Sequence, residues 1–192
     1  LKLMMDSLVF SANKVYKTLR SMGLKSSKDT ILLYKSYAES AYLFYQVHIF
    51  SYKIKDLLQY PRKLYCIDHG MRRALSFAYS QSLSKALENA VFVELMRRSD
   101  LSMSIHYWKS REGYETDFII LKNLSPIAAY QVVYELEEES TMRREERGLI
   151  KALKELGIKK GVIITKNIED EKEINGKIIK YIPAWKFFLG KH

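Results

Sequence analysis

A single cysteine, Cys66, occurs in the 192-residue chain, so no intrachain disulfide can form and a cysteine-built zinc site cannot be assembled. Proline is held to 3 positions and glycine to 8, which excludes collagen-like and wholly disordered readings and leaves no Pro- or Gly/Ser-rich linker. No apolar run approaches the roughly 18 to 20 residues that a membrane-spanning helix needs. Neither G-x-x-x-x-G-K-[ST] nor G-x-S-x-G occurs, so the sequence has no P-loop of its own and no serine-hydrolase elbow. The histidines, His48, His69, His106 and His192, show no i, i+4 pairing and no carboxylate at ligand spacing, and are expected in surface or satisfied core positions. Leu1 is preceded by no basic leader and followed by no small-residue cleavage site; the expectation is a piece of a longer protein without a signal peptide, in an intracellular, cytoplasmic setting.

What is present is the composition of a folded globular chain, 47% hydrophobic and 28% charged. Lys and Arg number 32 against 22 for Asp and Glu, a formal charge of +10. The excess is concentrated: residues 1–80 hold 13 basic and 5 acidic side chains, residues 81–192 hold 19 and 17. That sign favours an anionic partner, with nucleic acid first. Lys, Glu, Ile and Tyr are abundant and Asn and Gln few, a usage that resembles hyperthermophile proteins.

Ser11 can cap a helix whose Val15, Leu19 and Met22 form an apolar stripe up to Gly23. Ser26-Ser27 then caps a second helix, Lys28 to Tyr45, with Ile31, Leu32, Ala38, Ala41 and Tyr42 inward. Val47 to Phe50 and Lys63 to Ile67 read as strands. Helix, turn, helix and hairpin together predict a winged-helix-like domain over 1–70, whose second helix offers Lys28 and Lys35 and whose loop offers Lys53, Lys55, Arg62 and Lys63 to phosphates. The tyrosines on the second helix, Tyr34 and Tyr37 among them, recur at helical spacing and are expected as core.

A second domain over 71–192 opens with a helix from Ser80 to Arg98. Strands follow at Ser104–Lys109, Glu115–Leu121 and Ala128–Tyr134. An amphipathic helix spans Thr141–Leu156, a buried strand Gly161–Thr165, and Asn175-Gly176 turns a last hairpin into Lys177–Ile182. The fold class is α/β with a mixed sheet.

Chemistry concentrates in this second part. Glu115 and Asp117, two apart on a strand, share a face; Glu88 comes from the preceding helix and Gln131 from the next strand. A helix carboxylate, a strand Asp and a Glu-x-Lys on the neighbouring strand are what a Mg²⁺-dependent phosphodiesterase uses: carboxylates hold the hard cation and a lysine steadies developing charge. Glu88 and Asp117 are the candidate metal ligands, and Glu88, Asp117 and Gln131 the candidate catalytic set. At the lysine position stands Val133, which offers no ammonium; Lys109 or Lys122 could approach from a neighbouring strand, though nothing in the sequence shows it. Arg143, Arg144 and Arg147 could meet a phosphate beside the acidic cluster, whereas the run Glu135 to Glu139 reads as a solvated loop.

Leu87-Glu88-Asn89-Ala90-Val91-Phe92, Gly113-Tyr114-Glu115-Thr116-Asp117-Phe118 and Tyr130-Gln131-Val132-Val133-Tyr134 resemble the C-terminal region of archaeal and bacterial AAA+-type ATPases. Pro61 to Gly70 resembles that family's segment joining its winged helix to its restriction-endonuclease-like PD-(D/E)XK domain. The resemblance covers nearly the whole chain. It implies an ATPase domain upstream in the same parent chain, where ATP would bind, DNA as a partner, no cofactor in this fragment other than Mg²⁺, and the nuclease positions at Glu88, Asp117 and Gln131. Three roles fit: a DNA-binding or regulatory module with a degenerate nuclease-like fold, a Mg²⁺-dependent endonuclease, or a protein-interaction module without DNA affinity.

Overall fold

A computed structural model describes residues 3, 8–75, 83–135 and 139–190. After β1 (Val9–Phe10), the Ser11 hydroxyl accepts a hydrogen bond from the Lys14 backbone N–H and starts α1 (Ala12–Ser21). Ser27 caps α2 (Lys28–Ser40) in the same way through the Thr30 N–H. This helix is shorter than the expected Lys28–Tyr45. Tyr42 turns into the left-handed region (φ 54°), and the Leu43 N–H returns to the Ala38 carbonyl at 2.8 Å. That closure releases the next residues as β2 (Phe44–Ile49).

Two short helices follow that periodicity does not reveal, α3 (Ile54–Gln59) and α4 (His69–Leu75), on either side of β3 (Arg62–Cys66). The rest follows the expected order: α5 (Leu83–Arg98), β4 (Met103–Lys109), β5 (Glu115–Lys122), β6 (Ser125–Val133), α6 (Glu139–Glu155) and β7 (Lys160–Thr165). The chain continues with β8 (Asp170–Ile174), β9 (Lys177–Pro183) and α7 (Ala184–Phe188). Positions 80–82 of the expected helix and 136–138 of the acidic run lie outside the described residues. Asn175 and Gly176, both at positive φ (54° and 71°), make the tight turn between β8 and β9.

Among the described residues nine strands form one mixed sheet in the order β1-β3-β2-β4-β5-β6-β7-β9-β8. Pairing is parallel between β2 and β4, β6 and β7, and β7 and β9, and antiparallel elsewhere. β2 changes partner along its length: Phe44 to Val47 pair with β3, His48 and Ile49 with β4. The hairpin expected as a wing is thereby part of the same sheet as β4 to β9.

Helices cover the sheet on both sides. Leu149, Ala152 and Leu153 of α6 pack with Ile119, Ile163 and Tyr181. Val91, Phe92 and Leu95 of α5, with Phe187 of α7, pack with Phe118, Val132 and Ile164. A third cluster joins Ile31 and Ala38 of α2 to Phe44, Leu64 and Cys66. Tyr34 and Tyr37, expected as core, are exposed instead, because α2 turns Ile31, Lys35 and Ala38 inward.

Gly161 on β7 shows how closely α6 approaches the sheet. A Cβ there would stand 2.9 Å from Leu149 Cδ2 and 3.0 Å from Leu153 Cδ1, both side chains fully buried. Gly161→Ala is expected to lower stability by about 1 to 3 kcal/mol through overpacking. Urea denaturation checks this; an unchanged midpoint would mean that the helix moves away at no cost.

Candidate functional site

The candidate site is assembled from both halves of the sequence around one side chain. Lys63 lies on β3 and is 4% exposed. Its Nζ stands 2.7 Å from Glu115 Oε1, 3.0 Å from Asp117 Oδ1 and 3.1 Å from Glu88 Oε1, and 5.5 Å above the Tyr107 ring centre. The ammonium donates to Glu88 and Asp117, and the Glu115 carboxylate stands beside it as a third ion-pair partner. Tyr65, two residues along β3 and fully buried, donates its hydroxyl to Glu88 Oε1 at 2.7 Å.

Local structure explains the convergence. The β4–β5 ladder slips between His106 and Trp108, and Asp117 and Phe118 lie opposite the slip. Such irregularities re-aim side chains. At the same level the β5–β6 pairing is carried by side chains: the Asp117 N–H donates to Gln131 Oε1 at 3.1 Å, and the Val132 N–H donates to Asp117 Oδ2 at 3.0 Å. Gln131 Nε2 donates to Glu145 Oε2 on α6, whose other oxygen accepts from Arg144. Gly148 lets α6 come close, since a Cβ there would sit 3.1 Å from the Glu115 carbonyl.

The electrostatics follow from burial. Desolvation alone would lower the Lys63 pKa, but Asp117, Tyr65 and Glu88 outweigh it and hold the ammonium well above its ordinary value. Burial, and then the Asp117 charge, push the Glu88 carboxyl up to about 7 against the opposing pull of Lys63. Burial and the neighbouring Glu88 raise the Tyr65 phenol far enough to keep it a hydrogen-bond donor. Outside the cluster lies a cavity of about 580 Å³ lined by Glu115, Asp117, Gln131, Arg144, Glu145 and Gly148.

The sequence-derived residues divide into two groups. Glu88, Asp117 and Gln131 are brought together, with Glu115 beside them. Lys63, expected on a phosphate-binding loop, is instead at the centre of the carboxylates. Lys35, expected on the groove-facing side of its helix, is also buried, paired with Glu39 at 2.7 Å and 5.5 Å from the Phe10 ring centre. Lys28, Lys53, Lys55 and Arg62 are exposed, with Arg62 donating to Gln46 Oε1. Of the lysines considered as replacements for the one missing at Val133, Lys109 comes to 3.8 Å from Glu115, and Lys122 lies at the far end of β5. Arg143 pairs with Glu139, and Arg144 with Glu145. His48 and His106 are neighbours across β2 and β4, and His69 contacts Asn89; His192 lies outside the described residues.

Tyr65 and Glu115 complete the cluster. Only the Lys-x-Tyr spacing hinted that Lys63 and Tyr65 share a side of a strand. Among the described residues no group of three or more His, Cys, Asp or Glu is arranged to hold a metal ion. The donor set explains this: the oxygens that would ligate Mg²⁺ through Glu88 and Asp117 are turned to an ammonium, and the Gln131 oxygen is turned to a backbone N–H. As arranged, these residues do not fit a divalent ion. No helix among the described residues is long and apolar enough to cross a membrane.

The model of a family described as a domain of unknown function, DUF4143, matches residues 83–187. The chain belongs to this family. The matched span runs from α5 to α7 and contains Glu88, Glu115, Asp117 and Gln131, while Lys63 and Tyr65 precede it. Two curated relatives are similar to this chain over most of its length. One is an uncharacterized protein of Methanocaldococcus jannaschii, MJ1544, 35% identical over 188 residues and 93% of this chain. The other is an uncharacterized protein of Haemophilus influenzae, 30% identical over 173 residues and 90% of this chain. The chain spans about 40% of the length of each. A solved assembly of Thermococcus gammatolerans McrB AAA+ hexamers with bound McrC overlaps 57% of this chain and 32% of its own, at 13% identity and a TM-score of 0.40, too slight a likeness to bear on the role.

Proposed function

We propose that this DUF4143 chain is a DNA-binding, regulatory module with a degenerate nuclease-like core, carried in a longer protein that also holds an AAA+-type ATPase domain. The observation that carries this reading is the placement of the cations. The acidic cluster is compensated from inside by Lys63, while Lys28, Lys53, Lys55 and Arg62 remain at the surface. The succession α5, β4, β5, β6, α6 and β7, with Asp117 and Gln131 on adjacent strands and Glu88 on the helix before them, supports the PD-(D/E)XK-like reading of residues 71–192. Residues 1–70 are read as a winged helix, formed by α1, α2 and the β2–β3 hairpin, whose wing has joined the neighbouring sheet. The ATPase part rests on the sequence resemblance described above.

DNA binding through these side chains predicts a salt-dependent affinity. A labelled duplex titrated with the protein between about 50 and 300 mM salt should show log K falling by about 0.9 per phosphate neutralised. The triple variant Lys53→Ala, Lys55→Ala, Arg62→Ala should reduce that slope by up to about 3. No binding at low salt would reject the DNA-binding reading in favour of an interaction module. Nicking of plasmid DNA in Mn²⁺ that Asp117→Ala abolishes would reject the degenerate-core reading.

A further inference from the structure

We propose that Lys63 is the built-in cation of the acidic cluster, seated where a divalent ion would bind between Glu88, Glu115 and Asp117, and that removing its ammonium opens a site for a hard divalent cation. This inference takes from the reading above only the choice of ion to test.

Three carboxylate oxygens, one from α5 and two from β5, converge on a single point at 2.7 to 3.1 Å. Such convergence of like charges is tolerable only around a cation, and here the cation is covalently part of the chain. Its position is fixed by the strand that carries it, by burial and by the Tyr107 face beneath it. Held by hydrogen bonds to Glu88 and Asp117 and by the ion pair with Glu115, the ammonium is turned to carboxylates rather than offered to a phosphate.

Charge and access make the seat convertible. Three carboxylates face the Lys63 ammonium, and Lys109 reaches Glu115 only at 3.8 Å. Hard oxygen donors of this kind suit Mg²⁺, Mn²⁺ or Ca²⁺ rather than softer ions. Glu115 and Asp117 also line the 580 Å³ cavity, which gives an ion a path to the cluster. Lys63→Ala would remove the competing charge and leave the space of its butyl stem beside the donors.

The test is Mn²⁺ titration by calorimetry, with thermal unfolding as a second readout. Wild type should show no saturable binding and no change in melting temperature with Mn²⁺. Lys63→Ala should bind Mn²⁺ at least about tenfold more tightly than wild type and melt higher in its presence; adding Asp117→Asn should abolish both effects. A folded Lys63→Ala that ignores Mn²⁺ would overturn the proposal. The wild-type arm does not depend on Lys63→Ala: saturable Mn²⁺ binding to the wild type that Glu88→Gln weakens would show that Lys63 yields its place, and would overturn the proposal even if Lys63→Ala does not fold. DNA affinity is measured separately and carried by other residues, so failure of one proposal is distinguishable from failure of the other.

Discussion

Lys63→Ala should lose about 3 to 5 kcal/mol of folding stability at pH 8, the cost of leaving buried carboxylates without their partner. The loss should shrink in acid. Glu88 already has its pKa raised from 4.5 to about 7, chiefly by burial and by Asp117, while Lys63 pulls it down. Without Lys63 the carboxyl moves further up. Between about 4.5 and that raised value the folded state binds a proton that the unfolded chain does not, so stability falls as pH rises through the window. Urea denaturation at pH 5.5 and pH 8 measures this difference. Lys63→Met, which keeps most of the apolar stem, should show the same pH dependence and so separate lost charge from lost packing. A deficit below about 1 kcal/mol at pH 8, or one equal at both pH values, would remove Lys63 from its compensating role.

Asn89→Leu is expected to cost about 2 to 5 kcal/mol. Asn89, on α5 and fully buried, accepts from the Cys66 N–H at 2.9 Å and donates to the Cys66 carbonyl at 2.8 Å. Among the described residues the β1 side of β3 is paired as far as the Leu64 N–H, which donates to the Leu8 carbonyl, and at Cys66 the Asn89 amide does what a neighbouring strand's peptide would do. Leucine fills similar space and satisfies neither group. Leaving a buried N–H and C=O unpaired costs about 1 to 3 kcal/mol each. Denaturation gives the total, and amide exchange at Cys66 tells whether the loss is local; a protected Cys66 amide in the variant would mean that another partner replaces Asn89.

Much of the second half was legible because its elements announce themselves. The stripe Leu87, Val91, Leu95, the turn signals at Gly113 and Asn175-Gly176 and the amphipathic α6 depend on local chemistry, and the strands and helices lie within a few residues of expectation. The grouping of Glu88, Asp117 and Gln131 was legible for the same reason, since a helix followed by a meander brings those positions to one end. What sequence did not show is long-range register. The parallel pairing of His48 with His106 brings β3 and its lysine to the cluster, and nothing in the residues between them signals that contact. The slip beside Asp117 and the partner exchange of β2 are likewise set by packing across the sheet. Short helices α3 and α4 contain too few turns for a period to be read.

The contacts of Lys63 also bear on folding kinetics. Its partners Glu88 and Asp117 lie 25 and 54 residues further along the chain. Contacts closed over such loops form after local helices and hairpins, because loop entropy must be spent before they give anything back. Until β3 reaches the meander, Glu115 and Asp117 repel each other without relief, so the cluster belongs to the last steps of assembly. The stabilisation by Lys63 is then almost absent from the transition state. In a chevron experiment Lys63→Ala should accelerate unfolding and leave refolding nearly unchanged, which makes this ammonium a kinetic lock on the native sheet.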